Sequence, residues 1–180
     1  LRATQSGGVS IIPTSEPYAA MANFTHVGNG GSETTTAGVL GVQANTDNNI
    51  VDWVFIELRD ATNSATVVET QSALIQRDGD IVAAADGTSN VCFSGLAGNT
   101  VFVAVRHRNH LGIMANAAVT LTPAGTAVDF STTTLHGTNG PFLTNGVNAL
   151  WAVDVNFNSG VKYSGSNNDF SLIVVQTINL

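Results

Sequence analysis

Ile50-Val51-Asp52-Trp53-Val54-Phe55-Ile56-Glu57-Leu58-Arg59 is a long alternating apolar stretch in the chain. In an extended chain Val54, Ile56 and Leu58 fall on one face, and Trp53 and Phe55 on the other. Apolar bulk on both faces predicts a central strand covered on both sides. Working outward, Asp60 to Ser64 is a polar turn and Thr66 to Gln76 reads as the returning strand. Asp78-Gly79 predicts a hairpin into Ile81-Val82. Asp86-Gly87 predicts a further turn, followed by Val91 to Phe93 and the loop Gly95 to Asn99. Thr100 to Arg108 is a second long strand, with Val101, Val103 and Val105 alternating inward. Val119 to Leu121 and Ala127 to Phe130 are shorter candidates. Asn145-Gly146 predicts a turn before Leu150 to Val153. Turn signals recur every 8–12 residues or so, and no window sustains a helical apolar period. The expected fold is all-β, an antiparallel sandwich of immunoglobulin-like or jelly-roll-like type. It is expected over residues 1–148, with a loop-rich appendix over 149–180 as part of the same unit.

Composition supports this class and excludes others. The 180 residues carry 13 acidic and 6 basic side chains, for a net charge of −7. Lys162 is the only lysine, so a phosphate-tracking surface is not expected, and nucleic acid is not a predicted partner. The longest apolar run is about five residues, against the ~20 that a transmembrane helix needs. No transmembrane segment or retained signal peptide is expected. Charged residues are only 11%, and Thr, Asn, Gly, Val and Ala abound, which suits strands and turns better than helices. A chain of this length buries roughly 70% of its unfolded surface and needs no disulfide or metal for its core. The single cysteine, Cys92, stands between Val91 and Phe93 and reads as a small buried hydrophobe.

Few residues suggest chemistry. Arg106-His107-Arg108-Asn109-His110 is the densest polar cluster and follows directly from a buried strand. His107 and His110 do not share a helical face, so they make no ready metal pair. Arg106, His107, Arg108 and His110 are expected to form a structural polar corner, bonded to loop carbonyls or to the Asp78/Asp80 turn. No serine lies in a nucleophile elbow. Spacing selects no catalytic pair from Glu33, Glu57, Asp60, Asp78 and Asp80. An enzyme is therefore not expected, and no catalytic residue is assigned. Gly28-Asn29-Gly30-Gly31 lacks the strand–loop–helix context of a phosphate loop. Asn23-Phe24-Thr25 is a glycosylation sequon by pattern alone.

The sharper motif is Asp154-Val155-Asn156-Phe157-Asn158. Its alternating oxygen side chains sit as calcium requires, and Asn167 to Asp169 could complete the shell. Asp154, Asn156, Asn158, Asn167 and Asp169 are thus the candidate ligands of a weak calcium site. Asp154 and Asp169 are its only charged members. An Asn/Gly-rich turn held by its own side chains is the alternative.

Several stretches together resemble a known module. They are Ile12 to Tyr18, His26 to Glu33, Val51 to Asp60, Ala73 to Val82, Val103 to Met114, Ala149 to Asn156 and Lys162 to Asp169. They resemble an adhesin-like or haemagglutinin-like cell-surface module of large secreted Bacteroidota proteins, with a dockerin-like, calcium-loop-like end. The resemblance implies an extracellular, cell-surface location and no established activity. The chain departs from the family pattern in three places. It starts at Leu1-Arg2, where the family has a preceding apolar strand. It has Phe157, Ser159 and Gly160 where the family tends to Gly, Gly and Lys. It continues from Asp169 into Phe170 to Leu180, where the family stops pairing.

That continuation motivates the functional expectation. Phe170, Leu172, Val174, Ile178 and Leu180 share one face, while Ile173 and Val175 add apolar bulk to the other. A strand of this kind can complete a neighbour's sheet by donor-strand addition, and head-to-tail addition propagates a fibre. The expected function is a structural subunit of a pilus-like extracellular homopolymer. Folding back within its own domain is the alternative for this segment. The second functional expectation is a monomeric adhesion or carbohydrate-binding module, contacting surface glycans near Trp151 or Tyr163 and helped by calcium.

Overall fold

A computed structural model of the chain describes residues 12–41, 47–137, 142–144, 147–150, 154 and 161–169. Among them lie a 3-10 turn, Tyr18–Ala20, and eight strands. These are β1 (Ile50–Asp60), β2 (Val67–Gln76), β3 (Ile81–Val82), β4 (Thr100–His107), β5 (His110–Met114), β6 (Val119–Thr120), β7 (Phe142–Thr144) and β8 (Val147–Ala149). The main sheet runs β3-β2-β1-β4-β5, with β6 beside β4, and every pairing is antiparallel. The all-β antiparallel class expected from the sequence is therefore present.

Ile50 to Arg59 lies in the central strand, as its two apolar faces predict. β1 pairs with β2 on one side and with β4 on the other. Its alternation divides the core in two. Trp53 and Phe55 face a cluster built with Leu74, Val82 and the N-terminal residues Ile12, Tyr18, Phe24 and Leu40. Val54 and Ile56 face a second cluster with Ala73 and Val105, covered by Val91, Phe93 and Phe130. One face of the sheet is thus roofed by a long N-terminal strap, the other by the segments around Phe93 and Phe130. Trp53, Tyr18 and Phe55 are fully buried, and each contributes roughly 1.5–3 kcal/mol by leaving water. Tyr18, Phe24 and Phe55 pack as a trio with ring centroids 4.6–5.5 Å apart.

Turn chemistry follows the sequence at several corners. Gly79 turns the β2–β3 hairpin at φ +100° with nothing near its missing Cβ, a conformation that glycine adopts without strain. Asp60, Asp86 and Asp129 each accept backbone N–H bonds from the turn that follows them. β7 and β8 pair with Thr144 opposite Val147, on either side of the expected Asn145-Gly146 turn. Residue 148, the expected end of the sandwich, lies within β8. Its side chain donates to the carbonyls of Phe130 and Thr133.

Two short expectations are corrected. Val91–Phe93 and Ala127–Phe130 are not strands. They cover the sheet as irregular segments, and their apolar residues serve packing rather than pairing. Cys92 is exposed, because Val91 and Phe93 on either side of it turn toward the core.

Candidate functional site

The polar corner forms where β4 ends. Antiparallel register sets Phe55 of β1 opposite Arg106 of β4. Three residues earlier on β1, Asp52 lies beside the two-residue turn Arg108-Asn109, and His107 pairs with His110 across that turn. Asp52 receives Arg108 Nη2 at 2.5 and 2.8 Å and stands 3.1 Å from His107 Nε2. His107 Nδ1 accepts the Asn109 N–H at 3.1 Å and lies 2.9 Å from His110 Nδ1.

These contacts assign the tautomers. A backbone N–H can only donate, so His107 Nδ1 is an acceptor and His107 Nε2–H donates to Asp52. His110 Nδ1 must then carry the hydrogen that it shares with His107. His110 Nε2 is left as the basic end of a chain running Asp52–His107–His110. Burial raises the Asp52 carboxyl, but the His107 hydrogen bond and the Arg108 guanidinium outweigh it, and Asp52 sits below its ordinary value. Burial, then the neighbouring His107, lower His110.

A second polar knot lies further along β1. Glu57 is 3% exposed, accepts Arg106 Nη1 at 3.0 Å and holds Arg59 through both Nε and Nη2. Arg106 also donates to the Asn23 carbonyl and lies 4.4 Å over the Phe24 ring. The corner thus ties the strap to the sheet. Its expected carbonyl contact is present, but the Asp78/Asp80 turn is not its partner. The acids it uses are Asp52 and Glu57, because register brings β1 and not the β2–β3 hairpin alongside β4. No protein-family model matches the chain, and comparison with curated proteins and with solved structures gave no match.

The strap carries a clasp that sequence reasoning missed. Glu16 is 9% exposed and accepts the N–H groups of Tyr18 and Ala19 and the Ser72 hydroxyl of β2. His26 Nε2 lies 3.5 Å from Glu16, and its Nδ1 is 3.1 Å from Thr70 Oγ1. The only sequence signal was an acid and a histidine in a stretch that otherwise reads as coil.

Among the described residues β5 is the terminal strand of the sheet, beyond β4. Among the described residues its outer backbone is met at its far end, where the His136 N–H donates to the Met114 carbonyl. Gly112, at its middle, is exposed. Towards the other margin a cavity of about 310 Å³ opens, lined by residues that include Glu33, Glu69, Gln71 and Phe93.

Of the calcium candidates, Asp154 and Asp169 are buried and Asn167 is exposed with φ +56°. Asp169 accepts the Lys162 N–H, and its own N–H returns to the Lys162 carbonyl. Asn156 and Asn158 lie outside the described residues, as do Trp151 and the whole terminal segment Phe170, Leu172, Ile173, Val174, Val175, Ile178 and Leu180. Among the described residues no group of three or more His, Cys, Asp or Glu could hold a metal, and no helix is long and apolar enough to cross a membrane.

Proposed function

We propose that the protein is a non-enzymatic structural subunit of an extracellular, cell-surface polymer whose copies join by strand addition. One observation carries this reading: among the described residues the sheet ends in β5, a five-residue strand whose Gly112 is exposed. An edge strand offers a row of backbone donors and acceptors to an incoming chain. The occupant in this reading is the apolar, alternating segment 170–180 of a neighbouring copy. Low surface charge suits close contact between copies. Electron microscopy and sedimentation of the full chain, of a chain lacking residues 170–180 and of Leu111→Lys test it. The reading requires filaments from the full chain and none from the truncated chain. The edge lysine, which blunts strand addition, weakens assembly strongly. Filaments from the truncated chain contradict it.

A second reading, a monomeric glycan-binding module with a weak calcium site, draws on the loop 161–169. Tyr163 is 74% exposed there, and Asp169 is buried at the end of the loop. A full chain that stays monomeric and is retained on a glycan surface only with calcium present supports this reading instead.

A further inference from the structure

The geometry points to an acid-sensitive latch: protonation of the Asp52–His107–His110 cluster releases the β4–β5 hairpin, and with it the edge strand, while β1 and β2 stay closed. The inference concerns the strand on which the proposed function rests, but it is tested on the unassembled chain, so the two can fail separately.

The hydrogen-bond chain has room for one proton at a time. With both imidazoles neutral, every contact has a donor and an acceptor. His107 Nε2–H meets Asp52, and His107 Nδ1 receives Asn109 N–H and His110 Nδ1–H. A first proton at His110 Nε2 leaves these bonds in place but puts a cation on a half-buried ring at the turn that already holds Arg108, and relief of that desolvated charge is the step that opens the hairpin. A proton at His107 Nδ1 expels both of its donors. A proton at Asp52 removes the negative charge that Arg108 and His107 share and leaves only a weaker, neutral acceptor. The His107 step breaks the His107–His110 pair that closes the hairpin, and the Asp52 step loosens Arg108 and His107 from β1.

The groups facing the cluster confine the titration to it. Asp52 comes from β1, Arg108 from the turn, and the Tyr18 phenol from the 3-10 turn, where it donates to the Trp53 carbonyl. Arg108 stays charged at any physiological pH. Burial holds the Tyr18 phenol protonated. Burial and His107 also keep His110 below its ordinary 6.5, so the unfolded hairpin takes up protons that the closed one resists.

Beyond the corner, β5 is held by its Met114 and Ile113 pairs with β4 and by Ile113 packing on the core. A register shift interrupts the β4–β5 pairing between Val105 and His107, and no residue of β5 is fully buried. Elements with few buried contacts and exposed backbone open first.

Amide hydrogen exchange on the full chain at pH 7.5 and pH 5, corrected for intrinsic rates, tests the latch. Protection of the Leu111–Met114 amides is expected to fall about tenfold at the lower pH, with less than about twofold change over Trp53–Leu58. His110→Gln, which keeps a donor toward His107 but does not titrate, is expected to remove most of that fall. An equal fall in the variant, or a fall spread over the whole sheet, overturns the proposal. If the variant does not fold, ring NMR of the wild-type chain decides. The latch requires His110 to carry its hydrogen on Nδ1 and to titrate below 6.5. An Nε2–H tautomer, or titration at or above that value, overturns it.

Discussion

Two carboxylates on the same strand are neutralised in different ways. Glu57 lies between the guanidinium groups of Arg59 and Arg106, deep under the strap. Asp52, five residues earlier, is shared between Arg108 and His107, which in turn meets His110, where β4 ends. Arginine does not lose its proton at any pH a cell meets, whereas histidine changes charge between about pH 5 and 8. The first arrangement joins the centre of the sheet through cations that do not titrate. The second makes the hold on the edge strand depend on acidity. Burial and partner chemistry, rather than the carboxylates themselves, separate a permanent joint from a conditional one.

The largest test of that division is at the centre. Trp53→Ala removes a fully buried ring and its hydrogen bond to the Pro13 carbonyl, and is expected to cost about 4 kcal/mol in urea unfolding. Leu111→Ala, on the partly exposed edge strand, is expected to cost less than about 1 kcal/mol. Similar losses at the two sites would erase the contrast between centre and edge.

Glu57→Gln comes next. It leaves two arginines beside a neutral amide and is expected to cost about 3 kcal/mol. The loss is expected to be nearly the same at pH 8 and pH 6, since neither guanidinium titrates.

Asp52→Asn sharpens the same comparison with a smaller effect of about 1–2 kcal/mol at neutral pH. Asp52 is lowered in the fold, through the His107 bond and Arg108 against its burial. Its contribution is therefore present above its unfolded value of 3.8 and is lost as pH falls through its lower folded value. His110 is lowered too, so the unfolded chain binds its proton first. Stability then falls as pH drops below 6.5 and levels off beneath the folded value. The wild-type unfolding curve should show both declines, and the asparagine variant should lose the more acidic one.

Gly79→Ala is the smallest expected change, about 1 kcal/mol, from forcing φ +100° on a residue with a Cβ. It tests turn strain alone, because no atom lies near that position.

The sequence made the sheet legible where period and turn chemistry agreed. Alternation in Ile50–Arg59 identified the central strand, Asp78-Gly79 the hairpin, and Val101, Val103 and Val105 the strand beside β1. The covering layers were less legible, because Val91–Phe93 and Ala127–Phe130 have strand-like composition but bury side chains without pairing backbone. The corner residues Arg106 to His110 stood out in the sequence, but their partners did not. Asp52 and Glu57 stand in an apolar strand with no sequence signal of a partner on β4, and only the β1–β4 register brings them beside Arg106, His107 and Arg108. The Glu16–His26 clasp had no periodic signal, since it joins an irregular strap to β2 across more than forty residues of chain.

The central claim is that β5 is where one copy receives another. Amide exchange on the full chain, compared between assembled and dissociated material, tests it most directly. The account predicts that the outward amides of β5, around Gly112, become protected on assembly, while β1 and β2 are already protected in the single subunit. Assembly that protects other surfaces and leaves the β5 amides exchanging at their unassembled rate would contradict it.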